Sequence, residues 1–252
     1  MTEKIKAVTF DLWDTVFIDD SDEPKRKASG RETKAIERRR LVHKFVNMHS
    51  HVAQEIVTAV YDTADAAFRS VWHDQHVTWT VRERLSIVLK RLGQTLPESE
   101  MDELIRYHEE MEIEFRPDFI PGVHDAIKAL HKNHKLGVIS DAIFSPGRVL
   151  RTFLEGEGLL KYFDVFVFSD EIRHSKPEPV VFQAAFKGFD IEPGELVHIG
   201  DREHNDIAGP QALGAKAILC TAAIDRDSTN THAEAIFSNY KDLPNIIQTL
   251  NQ

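Results

Sequence analysis

The sequence predicts an α/β fold, a doubly wound parallel (Rossmann-like) sheet interrupted by an all-helical insertion. Three observations carry that expectation. Short apolar runs rich in Val, Ile and Phe recur within 4–16, 136–140, 164–170, 195–201 and 215–220, which suits buried parallel strands better than helices. Amphipathic stretches separate the later runs, as strand–helix–strand crossovers require. Between the first run and the second, residues 33–115 show only three- and four-residue apolar spacing, with no strand-like alternation.

The first run, KIKAVTFDLWDTV at 4–16, places Ile5, Ala7, Val8 and Phe10 in a strand that ends at Asp11. Open α/β sheets present their functional groups at the carboxyl ends of strands, so Asp11 is the first candidate for chemistry. Residues 18–32 are polar, contain Pro24 and Gly30, and read as a solvated loop. Ala53, Val57, Val60, Ala64, Phe68, Val71 and Trp72 then mark an amphipathic helix. Thr80 and Glu83 have the spacing of a capping box ahead of Leu85, Val88, Leu89 and Leu92, and Gly93 reads as the stop. Pro97 opens a helix carrying Met101, Leu104, Ile105, Met111 and Phe115.

From Pro117 the pattern changes. A helix through Val123, Ile127 and Leu130 leads to the strand LGVIS, which ends at Ser140 and Asp141. Ser145 and Pro146 read as the cap and first residue of the next helix. The strand DVFVFSD follows, then Lys176 and Pro177 before a helix through Val181, Phe182, Ala185 and Phe186. ELVHIGD ends at Gly200 and Asp201, AKAILC is the fifth strand, and a short strand and a last helix complete the chain. The expected division is an α/β core from 1–16 and 117–252, with 17–116 as a helical cap.

Composition narrows the function. The net charge of −10, from 41 acidic and 31 basic residues, argues against a nucleic-acid backbone as partner. No apolar run has the length of a membrane span, and the N-terminus lacks the pattern of a signal peptide. The single cysteine, Cys220, excludes an internal disulfide and fits a reducing cytoplasm; it reads as a packing residue.

Four strand ends thus carry polar groups that a parallel sheet would bring to one edge: Asp11, Ser140, the loop with Lys176, and Asp201 with Asp206. In this respect the sequence resembles the haloacid dehalogenase (HAD) superfamily of aspartyl-nucleophile hydrolases, over nearly the whole chain. VTFDLWDT looks like that family's first motif, VIS at 138–140 like the second, HSKPEPVVF at 174–182 like the third, and HIGDREHNDIAGPQALG at 198–214 like the fourth. The helical insertion looks like the cap of one large branch.

The resemblance implies roles. Asp11 would be the nucleophile, forming a phosphoaspartate with a phosphate substrate. Thr15 and Ser140 would donate hydrogen bonds to the transferred group, and Lys176 would neutralise charge on phosphate and nucleophile. Asp201 and Asp206, with Asp11 and the backbone carbonyl of Trp13, would hold Mg²⁺. The sequence departs from the family's phosphatases at Trp13, where they carry a second Asp that protonates the leaving oxygen. An indole cannot supply that proton, and loss of a positioned acid or base costs ~10²–10⁴ in rate. Asp14, His204 or water could stand in.

Three functions follow. The favoured one is a Mg²⁺-dependent phosphohydrolase acting on a small phosphorylated molecule. The second is a 2-haloacid dehalogenase-like hydrolase, since those enzymes also carry an aromatic residue at this position; an arginine from 38–40 would then balance the substrate carboxylate. The third is a weakly active ligand-binding sensor. The run 37–40 otherwise reads as a solvated helix face, Trp72 and Trp79 as cap core or cap interface, and His49, His51, His73 and His76 as cap residues without a metal.

Overall fold

The computed structural model describes residues 4–226 and 228–251. Six parallel strands form one sheet: β1 (Ala7–Phe10), β2 (Lys135–Ser140), β3 (Val165–Phe168), β4 (Leu196–Gly200), β5 (Lys216–Cys220) and β6 (Ala235–Phe237). Their order is β3-β2-β1-β4-β5-β6, all neighbours parallel. The chain therefore reverses its direction of winding between β1 and β4, where crevices for ligands open in such sheets. Register places Phe10 level with Val138 of β2 and Ile199 of β4, so Asp11 emerges between two neighbouring strand ends.

β1 is buried along its whole length because both sheet faces are covered. Val8 and Phe10 join a cluster with Val123, Ile127, Val149, Phe153 and Ile247 from helices on one face. Ala7 joins the opposite cluster with Val181, Phe182, Ala185 and Phe189 from the helix Pro179–Phe189. The sheet is thus a central layer between two helical layers, the α/β doubly wound architecture.

Six helices lie between β1 and β2: α1 (Glu23–Ala28), α2 (Lys34–Val46), α3 (Gln54–Gln75), α4 (Val81–Arg91), α5 (Glu98–Glu109) and α6 (Met111–Glu114). Val42, Phe45, Val57, Tyr61, Leu85, Val88 and Leu104 from α2 to α5 bury one another in a cluster of their own. The Thr80–Glu83 capping box is present: Glu83 N donates to Thr80 Oγ1 at 3.3 Å, and Thr80 N donates to Glu83 Oε2 at 2.7 Å. Gly93 adopts a φ of 66°, the left-handed geometry that ends a helix at little cost in glycine.

Three local expectations are corrected. The stretch 18–32 is not wholly loop, because α1 lies within it. Its Arg26 is completely buried, ion-paired with Glu37 and hydrogen-bonded to the carbonyls of Glu32 and Met111, contacts that no local pattern announces. Ser145 does not cap the following helix, since its hydroxyl donates to Glu112 and Pro146 takes the cap position of Gly147–Gly156. Arg38, in the run read as solvated, is 7 % exposed.

Candidate active site

Asp11 follows the last residue of β1, and its amide donates to the carbonyl of Ile199 at 2.8 Å, which fixes it to β4. The chain then turns sharply: the amides of Thr15, Val16 and Phe17 all donate to the Leu12 carbonyl, and Asp14 sits at a φ of 53°. The tight turn sends adjacent side chains to different places. Trp13 packs edge-on against Phe17, with ring centroids 4.6 Å apart, and lines a cavity of about 470 Å³. Asp14 does not line it. Its carboxylate accepts from the Asp19 amide at 3.0 Å and pairs with Arg226 at 2.5 Å.

Lys176 is almost fully buried, with Nζ 2.9 Å from Asp11 Oδ1 and 2.6 Å from Asp206 Oδ1. Burial works against its charge, but Asp11, Asp206 and Asp141 outweigh burial and hold its pKa well above the ordinary value. Asp206 is completely buried as well; burial is more than offset by Lys176 and His198, and its carboxyl lies well below the usual range. Its other oxygen accepts from the Arg202 amide at 3.0 Å. Gly200 makes this placement possible, since a Cβ there would stand 2.2 Å from the Asp206 carboxyl carbon.

Asp201 follows β4 and is held differently. Arg226 Nε contacts its Oδ2 at 2.5 Å, while Oδ1 is buried with no hydrogen-bond partner among the described residues. Burial, then repulsion from Asp206 and Asp11, pushes its pKa up to about 7. Oxygens of Asp11, Asp201 and Asp206 lie within 4.8 Å of one another. Three converging carboxylates, one with an orphaned buried oxygen, fit a hard divalent cation with oxygen ligands. Thr15 and Ser140 are buried, and each hydroxyl lacks a partner among the described residues.

The structure therefore brings Asp11, Lys176, Asp201 and Asp206 into one cluster, with Thr15 and Ser140 on the elements beside it. His204 is exposed, its ring 5.9 Å from that of His76. Cys220 is buried and burial pushes its thiol up to about 12, so it is inert packing.

Three residues at the site were not singled out from sequence. Asp141 lines the cavity and accepts from the Lys176 amide at 3.1 Å; burial first, and Asp11 against the opposing effect of Lys176, push its pKa up to about 7. Its position directly after Ser140 at a strand end was the available signal. His198 lies inside β4 with Nδ1 2.9 Å from Thr9 Oγ1 and Nε2 3.2 Å from Asp206 Oδ1. Burial lowers its pKa, against the opposing effect of Asp206; a carboxylate only accepts, so Nε2–H donates to Asp206, and in the neutral ring Nδ1 accepts from the threonine hydroxyl. Arg226, far away in sequence, ties Asp14 to Asp201, and no local pattern marks it.

Comparison with known proteins agrees with this geometry. The sequence model of the haloacid dehalogenase-like hydrolases matches residues 46–220, a span that contains Ser140, Lys176, Asp201 and Asp206 and begins after Asp11. Pyrophosphatase PpaX of Bacillus anthracis is 26% identical over 191 residues, covering 71% of this chain and 83% of the relative. PpaX of Oceanobacillus iheyensis is 25% identical over 157 residues, 60% of this chain and 72% of that protein. In fold, the chain is similar to an HAD phosphatase from Thermococcus onnurineus (TM-score 0.64, 22% identity, 96% and 98% of the two chains). It is equally similar to a 2-haloacid dehalogenase from Pseudomonas syringae pv. Tomato (TM-score 0.67, 20% identity, 97% and 99%). A parallel sheet whose strand ends gather an aspartate cluster around a buried lysine, and a match over more than half its length, place the chain in the haloacid dehalogenase-like hydrolase family.

Proposed function

We propose that this hydrolase is a Mg²⁺-dependent phosphohydrolase that acts on a small phosphorylated metabolite through an aspartyl-phosphate on Asp11. The observation that carries the reading is the convergence of Asp11, Asp201 and Asp206 beside the Lys176 ammonium. The three carboxylates and the Trp13 carbonyl would hold Mg²⁺, which when bound neutralises charge on the phosphoryl oxygens. A carboxylate oxygen of Asp11 attacks phosphorus, the bond from phosphorus to the leaving oxygen breaks, and water later hydrolyses the acyl phosphate. Lys176 offsets the charge that accumulates between nucleophile and phosphoryl group, and the Thr15 and Ser140 hydroxyls donate to it. His198, Lys176 and the Arg202 amide keep Asp206 ionised and in place.

Trp13 sets the substrate range. With an indole where an acid would stand, departure without protonation favours good leaving groups, such as acyl phosphates and phosphoanhydrides. The relatives named pyrophosphatases fit that preference. Helices α1 to α6 act as a cap, since Lys34, Phe68, Trp72 and Glu112 line the same cavity as Asp11 and Lys176. A small substrate, no nucleic acid and a reducing cytoplasm complete the reading; no helix among the described residues is long and apolar enough to cross a membrane.

The test is phosphate release from a panel of phosphate esters and anhydrides. Turnover requires Mg²⁺, stops with EDTA and is lost in Asp11→Asn. A second reading, dehalogenation, is favoured by Trp13 in the cavity wall, because halide leaves without a proton. Halide release from a 2-haloacid that survives EDTA would establish it against the first.

A further inference from the structure

Each carboxylate of the aspartate cluster has at least one oxygen already engaged. Asp11 Oδ1 meets Lys176 Nζ at 2.9 Å. Asp206 Oδ1 meets the same ammonium at 2.6 Å, and its Oδ2 accepts from the Arg202 amide at 3.0 Å. Asp201 Oδ2 meets Arg226 Nε at 2.5 Å, while Oδ1 is buried with no hydrogen-bond partner among the described residues. Asp201 thus has one oxygen held and one to offer.

Arg226 is unlike the other holders. Lys176 and the Arg202 amide belong to loops that carry the cluster or adjoin it, whereas Arg226 comes from the segment after β5. Its far end is anchored. The guanidinium pairs with Asp14 Oδ2 at 2.5 Å, and Asp14 is fixed in turn by the Asp19 amide at 3.0 Å, in a turn where its own φ is 53°. Arg202 Nε stands 3.9 Å from the same Asp201 oxygen, beyond hydrogen-bond reach. Among the described residues, the grip on Oδ2 therefore depends on Arg226.

That grip bears on which ion can enter. Mg²⁺ is small, demands near-ideal octahedral geometry and keeps several of its waters. Ca²⁺ takes about six to eight oxygens and accepts both oxygens of one carboxylate. A carboxylate that can turn a single oxygen to the ion suits the first and deprives the second.

We infer that Arg226 is a positioning residue that selects the metal: it withholds one oxygen of Asp201 and so favours Mg²⁺ over Ca²⁺. This role rests on the Mg²⁺-dependent reading of the site and adds the residue that decides between ions. Asp14 then serves as the counter-ion that anchors Arg226, not as a proton donor.

The test is calorimetric titration of the metal-free full chain with MgCl₂ and with CaCl₂, without substrate. The wild type binds Mg²⁺ more tightly than Ca²⁺. Arg226→Met, which releases Oδ2, lowers the ratio of the Ca²⁺ Kd to the Mg²⁺ Kd about tenfold or more. The ratio is the readout because loss of a nearby cation strengthens the binding of both divalent ions alike. Arg226→Lys restores the wild-type ratio, since its ammonium reaches the same oxygen. A wild type that binds Ca²⁺ more tightly than Mg²⁺ overturns the role of Arg226, whether or not the variants fold. So does a ratio that Arg226→Met leaves unchanged or that Arg226→Lys fails to restore. Phosphate release from acetyl phosphate with Mg²⁺ is measured in parallel. Metal selection that depends on Arg226, in a protein that releases no phosphate, overturns the phosphohydrolase reading and leaves the selector. Phosphate release with a ratio indifferent to Arg226 overturns the selector alone, and a wild type that binds neither ion overturns both.

Discussion

At the scale of single residues, chemistry concentrates on three side chains within four residues, Asp11, Trp13 and Asp14, that the turn after β1 separates. Asp11 meets Lys176, Trp13 lines the cavity, and Asp14 is drawn off to Arg226. Replacing Trp13 by Asp would supply the missing proton donor. The expected outcome is a gain of about tenfold or more in kcat/KM for alkyl phosphates relative to p-nitrophenyl phosphate. The ratio of the two constants checks it; an unchanged ratio in a folded variant counts against the assignment of Trp13. Gly200 offers a second check. Alanine there would drive a Cβ into the Asp206 carboxyl, so Gly200→Ala should cost about 1–3 kcal/mol of stability and weaken Mg²⁺ binding, read by denaturant unfolding and calorimetry. The residues at strand ends were legible in the sequence because a buried strand that stops at an acid has few other uses. Arg226 was not, and neither was the burial of Arg38, because a charge on its own element says nothing of what a distant segment will place around it.

At the scale of elements, strands were the most legible part. Parallel strands covered on both faces must be apolar runs, and those runs stand out against a charged background. Helix α1 was hidden for the opposite reason: it is held by the buried Arg26 and its ion pair rather than by an apolar stripe. The segment between α3 and α4 is tied to the loop before Lys176 by backbone hydrogen bonds, Thr78 N to the Arg173 carbonyl at 3.1 Å and Ser175 N to the His76 carbonyl at 2.9 Å. The helical segment and the loop that carries the central lysine are thus joined directly. On α5, His108 is completely buried with its ring 6.1 Å from Tyr61, and burial pushes its pKa down to about 3. The unfolded chain therefore binds a proton near pH 6.5 that the folded chain refuses. The resulting stability is full above pH 6.5 and is lost as pH falls toward 3, by up to about 1.4 kcal/mol per pH unit. His108→Leu should flatten the decline in urea midpoint between pH 7 and pH 5; an unaltered slope would refute this.

At the scale of the whole molecule, the sheet supplies a rigid edge and the helices α1 to α6 supply the other wall of the cavity. The aspartate cluster costs stability while its charges face one another, and a divalent cation relieves that repulsion. Mg²⁺ should therefore raise the melting temperature, by about 2.7 kcal/mol of added stability at a hundredfold excess over Kd, and EDTA should reverse it. Asp201→Asn should lose the shift while the protein stays folded.

The central claim is that Asp11 takes the phosphoryl group onto its own carboxylate. Its most direct test is mass spectrometry of protein quenched in acid during turnover with Mg²⁺ and an acyl phosphate. The account predicts a peptide carrying Asp11 that is heavier by one phosphoryl group, and its absence in Asp11→Asn. A wild-type protein that releases phosphate while Asp11 stays unmodified, or an Asp11→Asn variant that turns over at the wild-type rate, would contradict it.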